Sequence, residues 1–235
     1  MRKAWRWVGV FSPELMLCAG SARVGLLLRR WWAVALPDGT LRQGHRGVRM
    51  RTNWLGIGNE VGIALIERPG EEVTSETPGR NVIWTRKQGG VPTKGLVRID
   101  GRDHQIDARA IIDDSRGHHD RHTSWYWSAG IGTADDGTPV AWNLVDGIHD
   151  GEWGSERRVW RGDQAMEVGP VEFAPDLSRV GSLEFNPWAE RTENINLLVI
   201  RSRYRQPFGT FAGELPDGTR LREGYGVMEE HDALW

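Results

Sequence analysis

At 235 residues the chain is long enough for one large β domain or two small ones, built around a real core. Thirty Lys and Arg against 32 Asp and Glu give a net charge of -2. That excludes the basic excess of a domain that wraps nucleic acid and gives no reason to expect an anionic membrane surface. The single cysteine, Cys18, excludes an intrachain disulfide and suits a reducing, cytoplasmic compartment.

The N-terminus, MRKAWRWVGVFSPELMLCAGSA, has the basic-then-apolar outline of a secretion signal, but Pro13 and Glu14 split the apolar run. It reads as a strand, a turn at Ser12-Pro13-Glu14 and a second strand that carries Cys18 as a small buried hydrophobe. No run approaches the ~18 apolar residues of a membrane span. Further β-rich runs lie at 25–36, 61–67, 81–87, 95–100, 139–147, 157–160, 195–204 and 208–215. Turn signals separate them, among them Pro37-Asp38-Gly39, Thr77-Pro78-Gly79, Gln88-Gly89-Gly90, Asp135-Asp136-Gly137 and Pro216-Asp217-Gly218. The polar stretch 67–80 reads as an exposed loop, and NPWAERTEN (186–194) is the best helical candidate, a turn or two at most. GYGVMEEHDALW predicts a last strand with Trp235 packed on the core. Its Glu229 and His231 share one face, with solvent exposure expected. The pattern predicts an all-β, antiparallel protein.

Thirteen tryptophans and thirty glycines suit either a tryptophan-filled core or an aromatic-lined cavity. LPDGTLRQGHRGV (36–48) and LPDGTRLREGYGV (215–227) share their first five residues. They are either equivalent hairpins of two similar sheets or independent uses of one turn.

The stretch DDSRGHHDRHTSWYWSAG (113–130) concentrates ionisable groups beside indoles. Strand alternation puts Trp125 and Trp127 on one face and His122 and Tyr126 on the other. Asn143, in the apolar run after the next turn, needs hydrogen-bond partners if it faces inward. Asp, Glu and His in a dry pocket can exchange protons near neutral pH. The catalytic candidates are Asp113, Asp114, His118 and His122. The ligand-binding candidates are Trp84, Lys87, Trp125, Trp127, Asn143, His149 and Glu156. The alternative is that these groups only satisfy turns and sheet edges. The histidine spacing fits no zinc pattern, so neither metal nor cofactor is assigned.

The segments KAWRWVGVFSPELMLCAG (3–20), WTRKQGG (84–90), DDSRGHHDRHTSWYWSAGIG (113–132), VAWNLVDGIHD (140–150), YRQPFGTFAGELPDG (204–218) and GYGVMEEHDALW (224–235) resemble the bacterial domain-of-unknown-function family 2804. That family is distantly similar to lipocalin-like two-barrel proteins, the AttH-like proteins and carotenoid hydratases among them. The resemblance implies two calycin-like barrels or sandwiches, 1–108 and 109–235, the first lacking an opening strand, with an apolar calyx. It transfers no reaction.

Three functions fit: a hydrophobic-ligand enzyme acting by hydration or isomerisation, a non-catalytic carrier, or a scaffold with filled barrels. The ligand expected is an isoprenoid, polyketide or lipid-like small molecule.

Overall fold

The computed structural model describes residues 2–76, 81–151, 154–197 and 200–234. The expected turn at Thr77-Pro78-Gly79 and the packing expected of Trp235 lie outside the described residues. The strands are β1 (Arg2–Phe11), β2 (Met16–Val24), β3 (Leu27–Ala35), β4 (Leu41–Gly44), β5 (Val48–Arg51), β6 (Trp54–Ile57), β7 (Val61–Leu65), β8 (Glu71–Glu76), β9 (Val82–Ile99) and β10 (Arg102–His118). They continue with β11 (His122–Ala134), β12 (Pro139–Asp146), β13 (Arg158–Arg161), β14 (Gln164–Glu167), β15 (Arg179–Val180), β16 (Ser182–Leu197), β17 (Ile200–Glu214) and β18 (Arg220–Leu234). No helix forms among the described residues, and the helical candidate 186–194 lies inside β16.

Two antiparallel sheets result. The first runs β4-β3-β2-β1-β10-β9-β7-β6-β5, with β8 also on β9; the second runs β14-β13-β12-β11-β18-β17-β16-β15. The two sheets, of ten and eight strands, share one plan. Three strands meander away from the first, and the last strand returns to pair with that first strand, so each sheet curls into a half-barrel. The chain changes sheets between His118 and His122, so a division after residue 108 would cut β10.

The internal repeat is therefore real, but the LPDGT echo does not mark it. Both copies form the same turn, with Leu36 N–H donating to Thr40 O at 2.9 Å and Leu215 N–H to Thr219 O at 2.8 Å. They connect β3 to β4 and β17 to β18, which are not equivalent places in the two sheets. The turn at Asp135-Asp136-Gly137 has the same bonding, so this is turn chemistry used three times.

Two other expectations change. The Gln88-Gly89-Gly90 signal is a bulge inside one long strand, β9, with Gly90 at φ 66°. A Cβ on Gly89 would meet the Trp160 ring of the second sheet at 2.2 Å, so the missing side chain is what lets the sheets approach. Part of the polar stretch 67–80 is β8, paired along β9.

Alternation gives each curl a buried face. Val8, Val10, Leu17, Val34, Ile63 and Ile112 are among those that fill the first; Trp142, Leu144, Leu183, Phe211 and Met228 are among those that fill the second. The opposite faces meet. Trp7, Phe11, Met16, Cys18 and Ile111 pack there against Trp127, Ala129, Val145, Phe208 and Val227.

Candidate active site

A cavity of about 270 Å³ opens between the two sheets. The tryptophan-lined hollow expected inside a barrel lies instead at the junction of the half-barrels, because each curl is filled by its own side chains.

Strands β1 and β11 occupy equivalent places, and each carries Trp-x-Trp. Trp5 and Trp7 project from one sheet, Trp125 and Trp127 from the other. Trp5 stacks on Trp125 with ring centroids 6.5 Å apart, and Trp7 meets Trp127 edge-on at 4.9 Å. The second tryptophan of each motif has a carboxyl opposite it on the neighbouring strand. Trp7 pairs with Asp113 on β10, and Trp127 with Glu229 on β18. The repeat thus delivers two carboxyls to one cavity, one from each sheet.

Their surroundings differ. Asp113 faces the Lys87 ammonium at 2.7 Å, and Lys87 also reaches Glu156 at 3.1 Å. Burial pushes Asp113 up, and Lys87 pulls it back. Burial alone would lower Lys87, but its two carboxylate partners more than reverse this, so it stays an ammonium. Among the described residues the hydrogen bonds to Glu229 come from neutral donors, and the Arg191 guanidinium acts on it only from beyond them. Trp125 Nε1–H donates to its Oε1 at 2.9 Å, and Tyr204 O–H and Gln206 Nε2–H donate to its Oε2 at 2.9 and 2.8 Å. Burial pushes the Glu229 carboxyl up to about 7, against the pull of the Trp125 and Tyr204 bonds. It is 7% exposed, so the solvent exposure expected of it is overturned.

Neutral imidazoles, His149 and His231, complete the wall, and His119 packs against Trp5 behind it. Burial holds His231 down at about 3, His119 at about 3 and His149 at about 4. His231 Nε2 lies 2.8 Å from Ser202 Oγ, and its ring meets Trp125 edge-on. His149 Nδ1 lies 2.5 Å from Ser75 Oγ. His149 also takes a φ of 52°, a backbone strain of the sort found near functional sites.

Of the sequence candidates, Asp113, Lys87, Trp125, Trp127, His149 and Glu156 line the cavity. Asn143 is fully buried behind it and positions two of them: it accepts from Trp127 Nε1–H at 2.8 Å and donates to the Glu156 carbonyl at 2.9 Å. The structure places the others elsewhere. Asp114 points to the opposite face of β10, where it pairs with Arg6 at 2.9 Å and Arg86 at 2.7 Å. His118 is exposed. The His122 side chain is 60% exposed and pairs with Asp232. Trp84 bonds Glu72 at 3.0 Å and lies under the Arg116 guanidinium, away from the cavity. Strand alternation already set Asp114 against Asp113, and His122 against Trp125, as opposite-facing residues. Cys18 is buried beside Gln206 and its thiol is pushed up to about 12, which makes it inert. Among the described residues no group of three His, Cys, Asp or Glu is arranged to hold a metal ion.

Sequence reading missed Trp5, Trp7, Tyr204 and Gln206. The repeated Trp-x-Trp was the available signal for the first two.

A family model, domain of unknown function DUF2804, matches residues 40–235. The chain belongs to this family. A search of curated proteins finds no match. Among solved structures, the fold is similar to that of a putative AttH from Nitrosomonas europaea, with a TM-score of 0.52 and 13% identity, covering 98% of this chain and 92% of that one. It is also similar to kievitone hydratase from Nectria haematococca, with a TM-score of 0.53 and 10% identity, covering 97% and 88%. At these identities the likeness shows a shared fold of two packed barrel-like units.

Proposed function

We propose that this DUF2804 protein binds an apolar small molecule between its half-barrels and acts on it by acid–base chemistry. The observation that carries this is Glu229, a buried carboxyl with a pKa near neutrality that opens onto an indole-walled cavity facing a second carboxyl. The indoles of Trp5, Trp7, Trp31, Trp125 and Trp127 bury an isoprenoid, polyketide or lipid-like skeleton and exclude bulk water. Glu229, which holds its proton up to about pH 7, donates that proton to a carbon–carbon double bond or a conjugated carbonyl of the ligand. Asp113, fixed by Lys87, accepts a proton from the water that adds, or from the carbon next to the carbonyl. The first outcome is hydration and the second isomerisation. Two carboxyls given opposite roles by unlike surroundings are a recurrent device for such chemistry. One fold relative is a hydratase by name; the assignment for this chain stands on its own carboxyls.

The test is a panel of apolar ligands, with binding followed by quenching of indole fluorescence and products by mass spectrometry. A ligand that quenches and then gains one water or rearranges supports the enzyme. Quenching without product leaves a carrier. No quenching across fatty acids, isoprenoids and polyketide enones refutes ligand binding altogether.

A further inference from the structure

The exposed apolar side chains are not scattered. Leu26 is 97% exposed, Leu27 64%, Leu28 46% and Val82 58%. The first three form the tip of the β2–β3 hairpin. Val82, on β9, stands at the same end of the sheet with β1 and β10 between, since Gly117 pairs with Ile83, Arg2 with His118, and Gly25 N–H donates to Arg2 O at 3.2 Å. Four of the six large hydrophobic residues that stand exposed among the described residues thus sit at one end of the molecule.

That end is also basic. The exposed arginines Arg2, Arg23 and Arg30 flank the leucine tip, and exposed Arg121, just before β11, and Arg201, at the start of β17, stand at the same end of the second sheet. Against them stand Glu76, Asp120 and Asp232, the last already paired with His122. The cavity opens at the same end, where Arg23, Val24 and Leu27 form part of its wall.

We propose that this end docks on a membrane surface rich in anionic lipid. The leucine tip enters the headgroup region, the arginines meet the phosphates, and the cavity takes its apolar ligand directly from the bilayer. The last of these roles rests on the ligand-binding reading of the cavity; docking itself does not. Apolar side chains flanked by cations suit such an interface because neither contribution alone holds a protein there. The same tip set against a second copy of the chain would bring like charges together.

The test is sedimentation of the full chain, without added ligand, with vesicles of phosphatidylcholine alone or doped with phosphatidylglycerol. The chain is expected to sediment with the anionic vesicles and to be released by salt. Leu26→Ser with Leu28→Ser, which leaves cavity-lining Leu27 intact, is expected to weaken binding at least about tenfold. Arg30→Gln is expected to weaken it roughly fivefold. Glu229→Gln, buried within the cavity and not on the exposed tip, is expected to bind vesicles as the wild type does. Melting temperatures confirm that each variant folds.

Docking is overturned if the wild type stays in the supernatant with both vesicle types, or if the leucine variant binds undiminished. Light scattering that finds a concentration-dependent dimer, lost in the leucine variant, overturns it in favour of self-association. Failure of docking with indole quenching by soluble ligands intact leaves the cavity reading standing. The converse result separates the two the other way.

Discussion

Replacing Glu229 by Gln tests the proton-holding carboxyl directly. Burial lifts this group from 4.5 to about 7 in the folded protein. Ionising it in place therefore costs the folded state about 3 kcal/mol relative to the unfolded chain. The raised value means the folded state holds the proton more tightly. Its stabilising effect is complete below pH 4.5 and is lost as pH rises through about 7. Glutamine cannot ionise, so the variant has no such slope. The exchange of carboxyl for amide adds an offset, but a constant one, and the buried histidines titrate alike in both proteins. Scanning calorimetry across pH is the assay. Relative to its position at about pH 5, Tm of Glu229→Gln is expected to gain roughly 6–12 °C over the wild type by about pH 9. A Tm difference that does not change with pH would refute the assignment. With a turnover assay in hand, wild-type activity should fall as pH rises through about 7, and the variant should be inactive while still binding ligand.

Four further outcomes follow from the same structure. A Cβ on Gly20 would lie 2.2 Å from the Trp31 ring on the cavity wall; Gly20→Ala should swing that ring into the cavity and weaken ligand quenching, at a folding cost of about 1–3 kcal/mol. His122→Ala should leave ligand binding and turnover unchanged and move stability by less than about 0.5 kcal/mol. Asp114→Asn should cost about 1 kcal/mol in denaturant titrations by depriving Arg6 and Arg86 of one of their two carboxylate partners, Glu67 being the other, also without touching turnover. Loss of turnover in either, with fold intact, would return the site to the other face of the strands. His119 is kept neutral in the folded protein, held down at about 3, so the unfolded chain takes up the proton first as pH falls below 6.5. Its stabilising effect is present above 6.5 and lost as pH falls toward 3. His119→Gln should therefore push the acid-unfolding midpoint, followed by circular dichroism, to lower pH.

The fold was legible because it depends on local and periodic signals. Pro-Asp-Gly and Asp-Gly turns, the break at Ser12-Pro13-Glu14 and the two-residue alternation of Trp125 and Trp127 are written in neighbouring residues. They specify strands, hairpins and the side to which each side chain points. Asp113, Lys87, His149 and Glu156 were found because ionisable groups clustered near indoles in the chain.

What the chain order could not supply was distance between sheets. Gln88-Gly89-Gly90 signals a turn just as well as the bulge it forms, and only the arrival of Trp160 decides between them. Glu229 looks exposed in sequence because a lone glutamate rarely survives burial. It is buried here because Trp125, Tyr204 and Gln206, from two other strands, converge on it. The even charge balance likewise concealed a basic, leucine-tipped end, since net charge sums over positions that only folding brings together. Sequence determined which residues share a face. Tertiary structure decided which faces meet, and with that where the cavity lies and which carboxyls open onto it.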